Sequence, residues 1–219
     1  MIAHPLRYLV VLDVDSTLIN EEGIDLLAES AGEEVARAIR TITEEAMQGG
    51  WDFTESLTRR VGLLAGLPLS AVDQAAKRLT PTRGATELIS AVHASGGVVA
   101  AVSGGFHDMI DGLAESLGLD HWRANRFEVK DGVLTGRVHG AVVDAEEKRK
   151  ALLEWAAEHG IPAEQTVAVG DGANDVLMLS QAHTSVAFCA KPVLREVATH
   201  SVTERDLAQV IDLLGLPRP

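Results

Sequence analysis

The sequence predicts an α/β protein: a doubly wound parallel sheet with a small helical cap inserted after its first strand. Three observations lead there. Short, continuous apolar runs recur at residues 8–12, 98–102, 166–169 and 184–187, each the pattern of a strand buried on both faces. Helical patterns at 87–94, 108–117 and 148–159 separate the later runs, which makes the connections right-handed crossovers. Between them, from about Glu22 to Arg83, the periodicity is helical throughout (Ile24, Leu26, Leu27, then Leu57, Val61, Leu64) and no strand pattern occurs.

Taken in order, the first run ends abruptly in acid at Asp13, so the strand stops there. In the helical block, Pro68 and Pro81 punctuate helix boundaries. A block inserted at this point sits above the carboxyl ends of the strands, where such sheets bind ligands, and can serve as a lid. The expected division is a core of residues 1–20 and 84–219 and a cap of residues 21–83. After the second strand, Ser103-Gly104-Gly105 leads into a helix expected to begin near Phe106. Further on, Asp131-Gly132 between Val129 and Val133 is the signal of a tight hairpin.

Composition narrows the function. With 19 Lys+Arg against 32 Asp+Glu, the 219-residue chain carries a formal charge of −13. Such a surface repels nucleic acid and anionic lipid, so neither is expected as a partner. Hydrophobic residues at 46% and charged ones at 23% suit an ordinary globular chain. The single cysteine, Cys189, excludes an intramolecular disulfide framework and a Cys-rich zinc site. The first residues lack the pattern of a signal peptide, and the most apolar internal run, 97–102, is far shorter than a transmembrane helix requires. The expectation is a soluble cytoplasmic protein acting on a small molecule, as a monomer or homodimer.

The chemistry lies at the strand ends. One strand finishes in Asp13-Val14-Asp15-Ser16-Thr17, another in Ser103-Gly104-Gly105, and a third in Gly170-Asp171-Gly172-Ala173-Asn174-Asp175. In a parallel sheet these endings share one edge. Carboxylates gathered there repel unless a cation neutralises them, and all-oxygen ligation favours Mg²⁺. Asp13 can then act as a nucleophile toward phosphorus, and Asp15, two residues on, as the acid and later the base. Ser103, Gly104 and Gly105 offer a hydroxyl and bare N–H groups to a phosphate. Either Lys148 or Lys150 can supply the charge that neutralises a phosphate oxygen.

This ordered set, D-x-D-S-T, S-G-G, a lysine and G-D-G-x-N-D, resembles the haloacid dehalogenase (HAD) superfamily of phosphotransferases, and its phosphoserine phosphatase branch in particular. Further likeness lies in E-A-M-x-G from Glu45, D-F-x-x-S-L-x-x-R-V from Asp52, T-P-T-x-G-A from Thr80, A-N-R at Asn125, K-D-G-x-L-T-G from Lys130 and F-C-A-K-P from Phe188. The resemblance implies a HAD-like, Rossmannoid core and Mg²⁺-dependent hydrolysis of O-phospho-L-serine, the last step of serine biosynthesis, through a phospho-aspartyl intermediate. It implies Asp13 as nucleophile and Asp15 as acid/base with its carbonyl on the metal. Asp171 is implied as a further metal ligand, with Asp175 supporting the metal waters and Lys148. Lys148, rather than Lys150, matches the lysine by its spacing to the strand at Thr166. Ser103, Gly104 and Asn174 match phosphate-site residues. In the cap, Glu22 matches the acceptor of a substrate ammonium, Arg60 the grip on its carboxylate, and Met47 and Phe53 apolar lid residues. Some members carry an N-terminal regulatory domain; it is expected to be absent here.

Other readings of the same residues are weaker. The C-x₅-R spacing of Cys189 and Arg195 suggests a cysteine-dependent phosphatase, but that stretch has no glycine and loses a donor at Pro192. A calcium loop from Asp13 fails at Leu18 and Ile24, where Gly and Glu are needed. A receiver that is phosphorylated without turnover has no use for Asp15 or a lid. Within the preferred class, the alternative is a phosphatase or phosphotransferase for another small ester.

Overall fold

The structure, a computed structural model, describes residues 7–47 and 52–219. In chain order the described elements are β1 (Leu9–Leu12), four helices α1 (Gly23–Ser30), α2 (Glu33–Met47), α3 (Phe53–Gly62) and α4 (Leu69–Ala76), then α5 (Ala85–Ala94) and β2 (Val98–Phe106). There follow α6 (His107–Leu117), β3 (His121–Asn125), β4 (Phe127–Lys130), β5 (Val133–Val138), α7 (Ala145–Glu158), β6 (Thr166–Gly170) and α8 (Val176–Gln181). The chain ends with β7 (Thr184–Phe188), α9 (Pro192–Arg195), β8 (His200–Val202) and α10 (Ala208–Leu213). No helix among the described residues is long and apolar enough to cross a membrane.

Six strands pair in the order β3-β2-β1-β6-β7-β8, every pair parallel. Residues two apart face the same side of a strand, and the core divides accordingly. Val10, Leu12, Val99, Ala101, Val167 and Val169 join one buried cluster with α5, α6 and α10. Leu9, Val11, Val98, Ala100 and Ala168 join the other with α7 and α8. This burial on both faces is what the uninterrupted apolar runs encode. Two strands went unpredicted. β3 (His-Trp-Arg-Ala-Asn) is a half-buried, polar edge, and β8 has three residues, two of them exposed.

Register fixes the site. Leu12 pairs with Ala101 on one side and Val169 on the other, so Asp13 leaves β1 just before the level of Ser103 on β2 and Asp171 after β6. Its N–H donates to Val169 O at 2.8 Å.

Helices α1 to α4 rise between β1 and α5, and their apolar faces (Leu27, Ile39, Leu57, Val61, Leu64, Val72) belong to the first cluster. The chain leaves and returns through a two-stranded neck: Asn20 N donates to Thr80 O (3.1 Å), Thr82 N to Leu18 O (2.8 Å), and Glu21 accepts from Thr80 N (2.9 Å). The β4–β5 hairpin turns through Asp131 and Gly132, both at positive φ (51° and 78°), as a tight two-residue turn demands. It then reaches across to this helical block, where Leu134 N donates to Leu67 O and Gly66 N to Leu134 O, both at 2.8 Å.

β2 runs on to Phe106, so the helix after Ser103-Gly104-Gly105 opens at His107. The glycines belong to the strand end rather than to the first helical turn. Met47 closes α2, but its side chain and residues 48–51 lie outside the described residues.

Candidate active site

Asp13, Lys148 and Asp175 form the floor. Lys148 enters from the first turns of α7, whose N-terminus Asp144 caps by accepting from Glu147 N at 3.0 Å. Its ammonium is wholly buried and donates to Asp13 Oδ1 and, at 2.7 Å, to Asp175 Oδ1. Burial opposes the lysine charge, yet the two carboxylates outweigh it and hold the pKa above the ordinary lysine value. Lys150 instead points to solvent and pairs with Glu147 at 2.5 Å, which separates two lysines that composition alone could not.

Asp175 holds the loop after β6. Its second oxygen accepts from Asp171 N (3.2 Å) and Gly172 N (3.1 Å). A Cβ at Gly170 would stand 2.5 Å from that oxygen, so only glycine admits the carboxylate. Asp13, Asp171 and Asp175 bring one carboxylate oxygen each within 4.8 Å of one another. Burial, and then the charge of Asp175, push the Asp13 carboxyl well above its usual value and that of Asp171 to about 6. Acids so crowded, with one buried lysine to balance them, fit a hard divalent cation, because their oxygens are the ligands such ions take.

Asp15 leaves β1 in a tight loop in which Ser16 adopts φ 57°. Its carboxylate accepts from Gly23 N (2.7 Å) at the start of α1 and from Ser103 Oγ (3.1 Å) at the end of β2. The Ser103 hydroxyl in turn accepts from Gly105 N at 2.7 Å, so the hydroxyl expected to face a phosphate is engaged with Asp15 here. Gly105 is required beside it, since a Cβ would lie 2.9 Å from Asp15 Oδ2.

Above the floor opens a cavity of about 660 Å³, lined by Asp13, Asp15, Gly104, Asp171 and Asn174 below and by Glu22, Phe53 and Arg60 above. Glu22, at the solvent-exposed rim, accepts from Ser16 Oγ at 2.8 Å. Burial of its carboxyl and the nearby Asp15 charge push its pKa to about 7. Arg60 donates from Nε to Ser56 O (3.4 Å) and reaches no carboxylate at ion-pair distance among the described residues. Burial lowers its pKa, opposed by Glu22 and Asp25. Phe53 presses against β2: a Cβ at Gly104 would meet its Cζ at 2.5 Å.

Three further residues of this site escaped the sequence reading, and a fourth, Gly105, read there as a phosphate donor, has a steric role besides. Ser16 steadies Glu22, and the N–H of Gly23 holds Asp15. Gly105 makes room for that acid, while Lys191 lines the cavity and its charge draws the Asp171 pKa down. A glycine opening an amphipathic helix was the visible signal for Gly23; Lys191 had none apart from the F-C-A-K-P likeness. Cys189 is partly buried beyond β7, at φ 47°, its Sγ 3.6 Å from Thr203 O.

A six-stranded parallel sheet gathering Asp13, Asp15, Asp171 and Lys148 at one edge defines a class, and the haloacid dehalogenase-like hydrolase model matches residues 10–180. The chain belongs to this family. Within it, the chain is 48% identical over 206 residues to a phosphoserine phosphatase of Streptococcus thermophilus, covering 94% of this chain and 95% of that one. It is equally 48% identical to a phosphoserine phosphatase of Methanocaldococcus jannaschii (94% and 96% covered). A solved phospho-aspartyl intermediate analogue of phosphoserine phosphatase superposes with a TM-score of 0.89 at 47% identity, covering 94% of this chain and 98% of that one. A substrate-bound phosphoserine phosphatase complex gives 0.89 at 46% identity with the same coverage.

Proposed function

We propose that this chain hydrolyses O-phospho-L-serine to L-serine and phosphate, with Mg²⁺, as the last step of serine biosynthesis in the cytoplasm. The observation that carries this reading is the Asp13–Lys148–Asp175 floor lying beneath a cavity whose upper wall bears one acid, Glu22, and one base, Arg60. Those two charges suit the ammonium and carboxylate of an amino acid. Phosphoserine phosphatases of the same length and fold, one of them solved with an aspartyl-phosphate analogue, support it further.

In this reading residues 21–83 are the cap and residues 1–20 and 84–219 the core. An oxygen of Asp13 bonds to phosphorus while the bond from phosphorus to the serine oxygen breaks, and Asp15 gives its proton to that departing oxygen. Asp15 next takes a proton from water as the water oxygen bonds to phosphorus, and the Asp13–phosphorus bond breaks to free phosphate. Lys148 fixes the Asp13 carboxylate and balances the charge that gathers there. Ser103, Gly104 and Asn174 cradle the phosphate once the Ser103 hydroxyl turns from Asp15. Mg²⁺, held by Asp13, Asp171 and the Asp15 carbonyl with Asp175 behind, would supply positive charge to the phosphate oxygens. Phe53, in the upper wall of the cavity, excludes water; the resemblance gives Met47 the same role.

Phosphate release from a panel of phosphorylated metabolites, with Mg²⁺ and with excess chelator, tests the proposal. Phosphoserine is expected to be the preferred donor, turnover to stop in chelator, and Asp13→Asn to abolish it in a folded protein. No release from phosphoserine, or an active Asp13→Asn variant, overturns it.

A further inference from the structure

At the far end of α7 from Lys148, eleven residues or roughly 16 Å along the helix axis, a second cluster of metal-binding side chains converges. His121, the first residue of β3, and His159, just past the last residue of α7, face each other with Nε2 atoms 2.6 Å apart. The Glu158 carboxylate joins them, and the three ligand atoms all lie within 4.8 Å of one another. The His121 ring is held in place: it stacks on Trp155 (centroids 5.6 Å, interplanar 19°) and meets the His159 ring edge-on at 4.9 Å. Arg123 covers the same Trp155 at 5.5 Å and pairs with Glu154 at 2.5 Å, so β3 and α7 are already fastened together beside the cluster.

We propose that His121, His159 and Glu158 form a binding site for a borderline divalent transition-metal ion, Zn²⁺, separate from the acidic centre. Two imidazole nitrogens that point at each other need one proton between them. A divalent ion takes that place: the donor ring carries its proton on Nδ1 instead, and both Nε2 lone pairs go to the metal. Imidazole with one carboxylate selects Zn²⁺, Co²⁺, Ni²⁺ or Cu²⁺ over Mg²⁺. The end of a helix, where carbonyls are unpaired, also favours a cation. Zn–N bonds of about 2.0–2.1 Å at tetrahedral angles set the nitrogens roughly 3.3 Å apart. The rings must therefore part by about 0.7 Å, which the exposed Glu158 and the half-exposed histidines permit. With three protein ligands, water completes the shell. The bound ion clamps the sheet edge to α7, opposite the chemistry.

The test uses the full chain in excess Mg²⁺, which occupies the acidic centre, titrated with Co²⁺ and Zn²⁺. One equivalent of Co²⁺ should give the intense visible absorption of four-coordinate cobalt, and Zn²⁺ should displace it and raise the melting temperature. The His121→Ala/His159→Ala double variant should lose at least 10-fold in affinity and keep its Mg²⁺-dependent phosphatase activity, whereas Asp171→Asn should still bind. Absence of stoichiometric binding, or binding that survives loss of both histidines, overturns the proposal. In the unaltered protein, Zn²⁺ should shift the imidazole NMR signals of His121 and His159 above those of the other histidines; binding without that shift also overturns it.

Discussion

On the floor of the candidate site, both oxygens of Asp175 accept hydrogen bonds, and Lys148 donates to two carboxylates with none of its surface exposed. In the roof, Ser56 Oγ is buried without a hydrogen-bond partner among the described residues, and the Arg60 guanidinium is drawn by Glu22 and Asp25 only across a gap. Buried polar groups are normally satisfied. The Lys148–Asp13–Asp175 contacts of the floor therefore form as the sheet folds, leaving only room for a cation, whereas the roof carries unmet bonding capacity that a zwitterionic ligand would fill. Substitutions should divide along the same line: floor changes cost both stability and turnover, and roof changes cost substrate handling alone.

Lys148→Ala is the strongest way to break that division. It leaves Asp13 and Asp175 buried side by side with no counter-charge, at a cost of roughly 3–5 kcal/mol in folding stability, and turnover should fall below detection. Urea denaturation alongside a phosphate assay checks both. If the variant melts like the parent, the floor is not a structural unit and the contrast fails.

Arg60→Ala probes the opposite side. It should lower kcat/KM for phosphoserine by roughly 100-fold, the scale expected when a buried charge loses its partner. A simple aryl phosphate, which offers no carboxylate, should lose only a few-fold, and the denaturation midpoint should barely move. Equal losses on both esters would make Arg60 a packing residue.

Metal and pH sharpen the picture of the floor. In the absence of metal, the folded-state pKa values of Asp171 (about 6) and Glu22 (about 7) lie above their unfolded values, as does that of Asp13. The folded protein thus holds more protons than the unfolded chain between about pH 4 and 7, and metal-free stability falls as pH rises through that window. Mg²⁺ competes with the protons on Asp13 and Asp171. At 100 Kd it should add about 2.7 kcal/mol, or roughly 5–10 °C for a chain of this size, at pH 7.5 and distinctly less at pH 5. Calorimetry at the two pH values checks this, and an equal gain at both would remove the acidic cluster from metal binding.

The same contrast explains what the sequence could disclose. Strand-end acids were legible because β1 and β6 are buried on both faces and end where their apolar runs end, with Leu12 and Val169 paired side by side. Lys148 and Lys150 differ by two positions on one helix, and residue type alone says nothing of which faces inward; only the packing of α7 against the sheet decides it. The helix expected near Phe106 opens at His107 with Phe106 as its N-cap, while Gly104 and Gly105 are required there by steric demand from Phe53 and Asp15, not by backbone freedom. β3 stayed hidden because an edge strand with polar residues lacks both the alternating and the continuous pattern. The neck between Asn20 and Thr80 depends on residues sixty apart in the chain, a distance no local pattern spans.

The smallest effect tests where floor and roof touch. At Gly104 an added methyl group would sit 2.5 Å from Phe53 Cζ, too close to tolerate, but the obstacle is the tip of a half-buried ring at the start of α3 rather than backbone. The ring can swing aside, so Gly104→Ala should cost about 1 kcal/mol of stability or less. Because the displaced ring lines the cavity, KM for phosphoserine should rise by roughly 3–10-fold, about 1 kcal/mol of binding. Shortening the ring with Phe53→Leu in the same chain removes the collision, and the double variant should lose less than the two single losses combined, the mark of direct contact. Strictly additive losses would mean that the ring does not lean on Gly104 when substrate is bound, and that floor and roof are coupled only through the neck at Asn20 and Thr80.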